Sequence, residues 1–357
     1  MNEKILVINP GSTSSKIAVF NGEECIFTTN ISHSIEELSK LQNYEDQYEF
    51  RKKLIKNELL KMDIAIDDIK VIVGRGGSLK PLPSGVYSIN EAMRIDLKDG
   101  WEDSKHGANL AGFIVEEMSK EIPGSQGMVA DPPVVDELDD VARLTGHPDF
   151  SKRTVFHALN QKAIARKHAK EKGLVYENLN LIVAHLGGGI SIGAHRKGRI
   201  VDVNNCLDGD GPFSPERSGS LPVGDLAKLC FSGTVTYDEV RKKLVGQGGM
   251  IAYLGTNDVR EVEQMISKGN KKAELVYEAM IYQVSKDIGA MFTVLKGEVD
   301  AILLTGGIVY SSKVVDRIRE RTGKLAEIYI YPGEDEMGAL AMNGLMVLRK
   351  EVQLKEY

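Results

Sequence analysis

One pattern occurs twice in this 357-residue chain and limits its fold more than any other feature: an apolar strand, a turn of small residues, and a second strand. The first copy covers residues 4–20 (KILVINPGSTSSKIAVF), and the second covers residues 181–203 (LIVAHLGGGISIGAHRKGRIVDV). A constant offset of 176 residues pairs Asn9 with His185, Gly11 with Gly187, Ala18 with Ala194, and Gly22 with Gly198. An offset of nearly half the chain favours duplication of one α/β unit over a solenoid of short repeats.

A second pair of segments supports the duplication. Residues 70–77 (KVIVGRGG) and 300–307 (DAILLTGG) are each a hydrophobic strand closed by a glycine pair. The alternative is that a common strand–turn–strand pattern recurs by chance. We predict an α/β fold with two duplicated domains and a cleft between them. The predicted domains are residues 1–152 and residues 153–337, and a final helix at about 338–357 is expected to pack back on the N-terminal domain.

Helices are predicted where apolar residues recur every three or four positions. Residues 34–62 and 106–119 show this rhythm, and the clearest helix lies at 271–296. The apolar stripe of this last helix consists of Val276, Met280, Val284, Ile288 and Phe292. Such a stripe predicts a helix with one buried face.

The composition excludes several classes of function. The chain has 45 Lys and Arg against 51 Asp and Glu, a net charge of −6, without a basic block, which argues against binding to nucleic acid or an anionic membrane. No apolar run reaches the length of about 18 residues that spans a membrane, and the N-terminus lacks a signal-peptide pattern. Three scattered cysteines without metal-ligand spacing indicate reduced thiols. We therefore expect a cytoplasmic protein.

Three turns of small residues follow predicted strands and resemble phosphate-binding loops in composition. Residues 9–16 (NPGSTSSK) offer closely spaced backbone N–H groups, hydroxyls and a lysine, which suits a phosphate group. This loop is neither a Walker A loop nor a GxGxxG loop, and alone it is equally consistent with a polar hairpin turn. Residues 185–191 (HLGGGIS) and 305–312 (TGGIVYSS) are the other two turns. Together the three predict a nucleotide-binding cleft between the two halves.

The motifs resemble those of the acetate/butyrate kinase family, which belongs to the actin, sugar-kinase and heat-shock-ATPase superfamily. VINPGSTSSK and LIVAHLGGGISIGA are similar to the two signatures of this family. Further segments follow in the family's order along essentially the whole chain: RTVFHALN, SPERSGSLP, LGTNDVRE, LLTGGIVYS and GEDEMGALA. The resemblance implies two actin-like, ribonuclease H-like domains, ATP/ADP and Mg²⁺ as cofactors, and a homodimer or larger homo-oligomer.

Within the family, three segments resemble the butyrate-specific members: VGRGGSLKPLPSGVY, VADPPVVDE and FHALN. Acetate kinases usually carry FHGTSH and HLGNG and are longer. The implied activity is the reversible, ATP-dependent phosphorylation of butyrate or a similar four- to five-carbon acid to its acyl phosphate. The alternatives are a kinase for acetate, propionate or a branched acid such as isobutyrate, and a non-catalytic actin-like nucleotide switch. A switch gives no reason for the two arginines that the family uses in phosphoryl transfer.

The resemblance also implies roles for individual residues. The catalytic residues are Arg75, facing the acyl carboxylate or the phosphoryl group, His157, donating to the phosphoryl group, and Arg217. The residues implied for the nucleotide phosphates are Asn9, Ser12, Ser14, Lys16, His185, Gly187, Gly188 and Gly189. Those implied for the adenosine are Asn257, Asp258, Arg260, Gly306 and Gly307. The carboxylates implied for Mg²⁺, directly or through water, are Asp131 and Glu336. Structural roles stay open for a surface Arg75, a core His157, a turn Asp131 and a helix N-terminal Glu336.

The chain departs from the family pattern at three places. Gly188 replaces the usual asparagine of its loop, and Gln161 replaces the second histidine of its motif, so no role is implied for Gln161. Gly76 and Gly77 follow Arg75 where acetate kinases typically carry bulky valines. The missing side chains predict a pocket with room for a longer acid, unless these glycines serve only the geometry of the turn.

Overall fold

The structure is a computed structural model that describes residues 3–41, 43–100 and 107–357. The chain divides into two compact units, residues 1–135 with 335–357, and residues 136–334. Each unit is an α/β domain built on one sheet, which confirms the predicted fold class. The predicted start of a helix at residue 106 lies outside the described residues.

The N-terminal domain contains a seven-stranded sheet. Its strands are β1 (Lys4–Pro10), β2 (Ser14–Asn21), β3 (Glu24–Ser32), β4 (Ile69–Arg75), β5 (Val86–Ser88), β6 (Gln126–Ala130) and, at the C-terminus, β12 (Leu354–Glu356). Their order is β12-β5-β6-β4-β1-β2-β3, with β1 antiparallel to β2 and parallel to β4. Because β1 and β4 run in the same direction, the residues at their C-terminal ends lie at one edge of the sheet.

Helices cover both faces of this sheet. They are α1 (Ile35–Ser39), α2 (Tyr44–Lys61), α3 (Glu91–Asp99), α4 (Leu110–Glu121) and α13 (Glu336–Leu348). Leu6 and Ile72 point into a core shared with α2 and α4. Ile5 and Val71 point to the other face, where Gly344 lets α13 approach β1 and β4 closely. Burial on both faces explains why these two strands are apolar along nearly their whole length.

The C-terminal domain contains a five-stranded sheet. Its strands are β7 (Asn180–Leu186), β8 (Ile190–Arg196), β9 (Arg199–Val203), β10 (Ala301–Gly306) and β11 (Ile328–Pro332). Their order, β11-β10-β7-β8-β9, and their directions repeat those of β6-β4-β1-β2-β3 in the N-terminal domain. The repeat therefore extends from the sequence to strand order, and it places Asn9 and His185 at equivalent positions of equivalent strands.

The helices of the C-terminal domain lie between and around these strands. They are α5 (Asp140–Arg143), α6 (Ala158–Lys172), α7 (Val223–Cys230), α8 (Tyr237–Leu244), α9 (Gly249–Leu254), α10 (Val259–Ser267), α11 (Lys271–Val294) and α12 (Ser312–Thr322). The helix predicted at 271–296 is confirmed as α11, and its stripe packs in the main core with β7, β8 and β10. Residues of α6 form a second core on the other face of the sheet.

The division between the domains falls after Val135, earlier than the predicted residue 152. The reason is that the segment after Val135 is bonded to the C-terminal domain. The backbone N–H of Asp139 donates to Val201 O, and the Asp139 carboxylate pairs with Arg196 at 2.7 Å. The chain returns to the N-terminal domain after Glu334, so all of α13 belongs to that domain. The final helix predicted at about 338–357 ends at Leu348, and residues 354–356 form β12 instead.

Two further predictions concern membranes and thiols. Among the described residues, no helix has both the length and the apolar character needed to cross a membrane. Cys25, Cys206 and Cys230 are all free thiols, and of the three Cys206 is buried.

Candidate active site

A cavity of about 440 Å³ lies at the edge of the N-terminal sheet where β1 and β4 end. It is lined by Asn9, Pro10, Gly11, Ser14, Lys16, Asn30, Arg75, Ala108 and Pro133. The parallel pairing of β1 and β4 explains why the first phosphate-type turn and Arg75 meet here, although about sixty residues separate them in the chain. Four predicted site residues thus share one cavity.

Glu336 connects Arg75 to the β1–β2 turn. It is the first residue of α13, and one carboxylate oxygen lies 2.5 Å from Arg75 Nη1. The other oxygen accepts a hydrogen bond of 2.8 Å from Asn9 Nδ2. All three side chains therefore meet at one point, where Asn9 and Arg75 line the cavity, and the arginine and the carboxylate are partly exposed to solvent.

Asp131, which the family resemblance implies as a Mg²⁺ ligand, is a buried residue. It is 1% exposed, and its φ of 37° is a left-handed value that non-glycine residues seldom adopt. One carboxylate oxygen accepts from the Ser84 hydroxyl at 2.7 Å and the Gly85 N–H at 2.9 Å. Asn343 Nδ2 lies 3.4 Å from the other oxygen. Asp131 therefore holds the loop around Ser84 in this structure.

These contacts bear on whether the residues suit Mg²⁺. The described residues contain no group of three or more His, Cys, Asp or Glu side chains that could hold a metal ion. Mg²⁺ at kinase sites needs fewer protein ligands, since one or two carboxylates, water and substrate phosphates complete its shell. Glu336 fits such a role better than Asp131, because its side chain is 24% exposed beside the cavity, but its two oxygens are bonded to Arg75 and Asn9 in this structure and would have to share those partners with the cation. Asp131 does not fit as a direct ligand while its bonds to Ser84 and Gly85 persist.

Arg51 is a residue of this site that the sequence reasoning missed. It projects from α2 beneath the β1–β2 turn and is 1% exposed. Its guanidinium donates to Ser12 O at 2.9 Å, Ser14 O at 2.8 Å and Ser15 Oγ at 3.0 Å. Burial lowers the pKa of Arg51. A signal existed, because Arg51 continues the buried stripe of Ile55 and Leu59 back by one helical turn.

The C-terminal domain places the second glycine-rich turn, between β7 and β8, against Arg217. A Cβ added at Gly189 would overlap the Arg217 guanidinium, so only glycine lets that group lie on the turn. A Cβ at Gly188 would lie 2.9 Å from Glu216 Oε1, and Ser214 Oγ donates to Gly188 O at 2.5 Å. The turn is therefore packed against the loop that carries Arg217.

Arg217 itself is only partly satisfied by the protein. Its Nη1 donates to Cys206 O at 2.8 Å and lies 3.3 Å from Cys206 Sγ. In the described part of the chain, its buried Nε has no hydrogen-bond partner. An unpaired buried donor costs about 1–3 kcal/mol, and more for charged groups, so an anionic ligand that accepts from Nε removes a real penalty. This geometry supports anion binding at Arg217.

Two histidines stack beside the same turn. The rings of His157 and His185 lie 3.8 Å apart between centroids with an interplanar angle of 14°. His157 Nδ1 is 2.9 Å from Ser191 Oγ, and His185 Nδ1 is 2.8 Å from Asn160 Oδ1. Both rings are therefore fixed at Nδ1, and they stack face to face beside the turn.

The residues predicted around the adenosine fall into two groups. Asn257 Nδ2 donates to Glu216 Oε2 at 3.3 Å, and Gly306, at a φ of 95°, lies directly against the Leu186 backbone. Both are therefore near the β7–β8 turn. Asp258 instead caps α10 and pairs with Arg260 at 2.7 Å, and these bonds lower the Asp258 pKa to about 2. That pair is exposed, and each partner satisfies the other.

Comparison with known proteins agrees with this arrangement of motifs. The sequence profile of the Acetokinase family matches residues 150–336, which is more than half of the chain. The chain belongs to the acetokinase family. It is 51% identical over 354 residues to "Butyrate kinase 1" of Clostridium acetobutylicum, and 52% identical to the "Probable butyrate kinase" of Bacteroides thetaiotaomicron. Both alignments cover 99% of this chain and 99% of the relative.

Solved structures extend the family likeness to the fold. The acetate kinase of Porphyromonas gingivalis matches with a TM-score of 0.79 at 17% identity, covering 97% of this chain and 100% of that one. A propionate kinase of Francisella tularensis matches with a TM-score of 0.73 at 20% identity, covering 96% and 98%. At such identities the likeness shows the two-domain acetokinase fold and no more.

For this acetokinase-family chain, the structure forms two clusters of the predicted residues, one in each domain. The N-terminal cluster contains Asn9, Ser14, Lys16, Arg75 and Glu336, and the C-terminal cluster contains His157, His185, Gly187, Gly188, Gly189, Arg217, Asn257 and Gly306. Ser12 is exposed and does not line the cavity, but its carbonyl is held by Arg51. Gly307 is exposed, with open space where a Cβ would point.

Gly76 and Gly77 leave no open space where their side chains would lie, contrary to the prediction that they enlarge the acid pocket. A Cβ at Gly77 would overlap the side chain and Cα of Asn109. A Cβ at Gly76 would lie 2.6 Å from Pro132 Cβ and 2.8 Å from Val129 Cγ1. Neither glycine lines the 440 Å³ cavity. Close packing explains these two residues, whereas turn geometry, the alternative considered from the sequence, has no left-handed φ to support it at either glycine.

Proposed function

We propose that this chain catalyses the reversible, ATP-dependent phosphorylation of a short-chain fatty acid, with butyrate as the acid, to give an acyl phosphate and ADP. The names of two relatives, each about half identical along nearly their full length, support butyrate. The observation that carries the phosphoryl-transfer assignment is the buried, unpaired Nε of Arg217 lying over the glycine-rich turn. A phosphate oxygen is the acceptor that this arrangement lacks.

The chemistry requires no general base. A carboxylic acid with a pKa near that of Asp or Glu is ionised at pH 7, so the nucleophile is already formed. The difficulty is to bring two anions together and to stabilise charge on the phosphoryl oxygens. We assign Arg75 to the acid or the phosphoryl group, and Arg217 to the phosphoryl group. His157 donates to that group, and the backbone N–H groups of both turns bind the phosphates.

A divalent cation has a defined place in this proposal. Glu336 would hold it, with phosphate oxygens and water as the remaining ligands. When bound, Mg²⁺ neutralises charge on the phosphates. The Glu336 carboxylate also orients Arg75 and Asn9, through contacts of 2.5 and 2.8 Å. The same residue thus connects the cation, the catalytic arginine and the first phosphate loop.

Trapping of the acyl phosphate with hydroxylamine tests the function. The purified chain is incubated with ATP, Mg²⁺ and each of the straight and branched acids from two to six carbons. We expect hydroxamate with butyrate above acetate, and none when ATP is omitted. A preference for acetate or propionate would keep the chemistry and change the substrate. ATP binding without hydroxamate from any acid would favour a non-catalytic nucleotide switch.

We further propose that the chain acts as a homodimer or larger homo-oligomer in the cytoplasm, where its three free cysteines stay reduced. Support for self-association comes from α7, which has no buried residue. Val223 is 76% exposed, and Phe231, which follows the helix, is 92% exposed. Sedimentation velocity is expected to show a species larger than 39.2 kDa, shifted toward monomer by Phe231→Ser. A monomer at micromolar concentration contradicts this proposal.

A further inference from the structure

A chain of buried polar side chains runs behind His157 in the C-terminal domain. It consists of Ser191 on β8, Gln161 on α6, His195 on β8, and Tyr176, which precedes β7. Ser191, Gln161 and His195 are each 0% exposed and Tyr176 is 4% exposed. Gln161 occupies the position to which the family motif assigns no role here. Its location next to Ser191 gives it one.

The direction of the hydrogen bonds follows from a backbone acceptor. The Gln161 amide lies 3.1 Å from Ser191 O, and a carbonyl oxygen accepts only, so the nitrogen of the amide must face it. The second hydrogen of this Nε2 points to Ser191 Oγ at 2.9 Å. Gln161 Oε1 is then turned to His195 Nε2, at 3.0 Å, which must donate. One carbonyl thus sets the orientation of the whole amide.

The hydrogen bond that His195 makes through its other ring nitrogen continues in the same direction. A proton on Nε2 leaves Nδ1 of the neutral ring as an acceptor, and Tyr176 Oη lies 2.8 Å from it. Burial, and then the nearby positive charges of Lys162 and Arg166, hold the pKa of His195 well below its usual value, so the ring is neutral. The hydrogen bonds therefore run in one direction from Tyr176 through His195 to Gln161, and Gln161 donates to Ser191.

The last bond of this chain reaches His157. Ser191 Oγ accepts from Gln161, and among the described residues His157 Nδ1, at 2.9 Å, is the acceptor within reach of the hydroxyl hydrogen. Ser191 is 0% exposed, so this hydrogen is satisfied by donating to His157 Nδ1. Among the described residues, Cys206 Sγ also lies near this nitrogen, at 3.9 Å. Burial raises the pKa of the Cys206 thiol, so this thiol is an uncharged, weak partner. A neutral imidazole that accepts at Nδ1 carries its proton on Nε2.

We propose that Gln161 is a positioning residue that, through Ser191, holds neutral His157 with its proton on Nε2, the nitrogen directed away from Ser191. This inference rests on the proposed function, in which that Nε2–H donates to the transferred phosphoryl group. A histidine in the other tautomer would present a lone pair to an anion. Fixing the tautomer therefore makes His157 a donor before the nucleotide binds.

Gly193 supplies the space that the amide occupies. A Cβ added there would overlap Gln161 Oε1 and lie 3.4 Å from His195 Nε2. The backbone of Gly193 has no left-handed φ, so alanine is compatible with its conformation. Gly193→Ala thus displaces the Gln161 amide without changing Gln161, Ser191 or His157, and it serves as a second, independent variant.

The test measures the tautomer of His157 directly. Full-length protein is labelled with ¹⁵N-histidine, and the His157 ring signals are assigned by their loss in His157→Gln. In neutral imidazole, the protonated and unprotonated nitrogens have very different ¹⁵N shifts. We expect protonation at Nε2 in the wild type, and a clear rise of the Nδ1–H form in Gln161→Met and in Gly193→Ala. In both variants kcat should fall about 10–100-fold, as for other lost outer-shell partners, with little change in KM for ATP.

His168→Ala is the matched control. His168 is also a buried residue of α6, and it is hydrogen-bonded to Tyr331 Oη at 2.9 Å. It lies about 10 Å from Gln161 along the helix axis. It should lower stability while leaving the His157 tautomer unchanged. The inference is overturned if His157 of the wild type is protonated at Nδ1. It is also overturned if the tautomer of His157 stays the same in both Gln161→Met and Gly193→Ala. Absence of acyl phosphate from the wild type overturns the proposed function instead, and the ¹⁵N measurement still decides the tautomer.

Discussion

At the residue scale, the proposed chemistry depends most on a guanidinium that the protein leaves partly unpaired. Arg217→Ala is expected to reduce kcat about 10²–10³-fold, or about 2.7–4 kcal/mol, because it removes a donor that stabilises transition-state charge. ATP binding should largely survive. Arg217→Lys should not restore kcat, because lysine lacks the planar fork. Steady-state kinetics check this, with Arg319→Ala, an exposed arginine of α12 paired to Asp316, as the control. Near-normal kcat in Arg217→Ala would reduce Arg217 to a structural residue.

A second residue-scale prediction concerns Gly77. Since a Cβ there overlaps Asn109 in both its side chain and its backbone, Gly77→Val is expected to destabilise the fold by at least about 1–3 kcal/mol, the usual cost of overpacking. Thermal denaturation of Gly77→Val and of Gly146→Ala provides the comparison, because Gly146 has open space around it. A folded Gly77→Val with wild-type stability and an altered preference among acids would restore the pocket argument.

At the scale of elements, side chains from two other parts of the N-terminal domain hold the β1–β2 turn in place: α2 and the residue that follows β3. Arg51 from α2 bonds three of its oxygens, and Ser15 Oγ is also 2.9 Å from His33 Nε2. Burial, with a smaller effect of Arg51, lowers the His33 pKa to about 4. The turn that lines the cavity is therefore held in place by contacts within the N-terminal domain.

This support makes stability depend on pH. Folded His33 stays neutral down to about pH 4, while in the unfolded chain it takes up a proton below its ordinary pKa of 6.5. The unfolded state therefore binds more protons between these values, and stability contributed by neutral His33 is lost as pH falls from 6.5 toward 4. The denaturation midpoint, measured at several pH values across this range, should fall less steeply with decreasing pH in His33→Gln than in the wild type. Parallel curves would contradict the shifted pKa, since other histidines contribute equally to both proteins.

At the scale of the whole molecule, the duplicated strand order gives each domain one loop of the phosphate-binding type at an equivalent strand end. In the proposed function, Mg²⁺ held by Glu336, water and phosphate oxygens neutralises charge on the phosphates. Excess EDTA is therefore expected to abolish hydroxamate formation, and added Mg²⁺ to restore it. Undiminished turnover in EDTA would contradict the cation.

Two carboxylate variants refine this prediction. Glu336→Gln should raise the Mg²⁺ concentration needed for half-maximal activity, because Glu336 is the partly exposed carboxylate beside the cavity. Asp131→Asn should mainly lower the melting temperature, because Asp131 is buried and bonded to Ser84 and Gly85. The opposite pattern would return the metal contact to Asp131, as the family resemblance implies.

The amino-acid sequence was sufficient for the features that depend on local pattern. The offset of 176 residues predicted two copies of one α/β unit. The two sheets confirm this, because five strands of each have the same order and directions. The apolar stripe of α11 and the glycine turns after β7 and β10 were also readable, because side-chain periodicity and chain reversal are encoded within a few residues. The family motifs then added which side chains to examine.

Only the tertiary structure decided what those side chains contact. Glu336 meets Arg75 and Asn9, from which hundreds of residues separate it, and Arg51 lies beneath a turn formed by another element. Gly77 is explained by Asn109 rather than by a ligand, and the proton position proposed for His157 follows from a carbonyl on β8. Such properties belong to pairs of distant groups. They exist only once packing brings the partners within bonding distance, so no local pattern contains them.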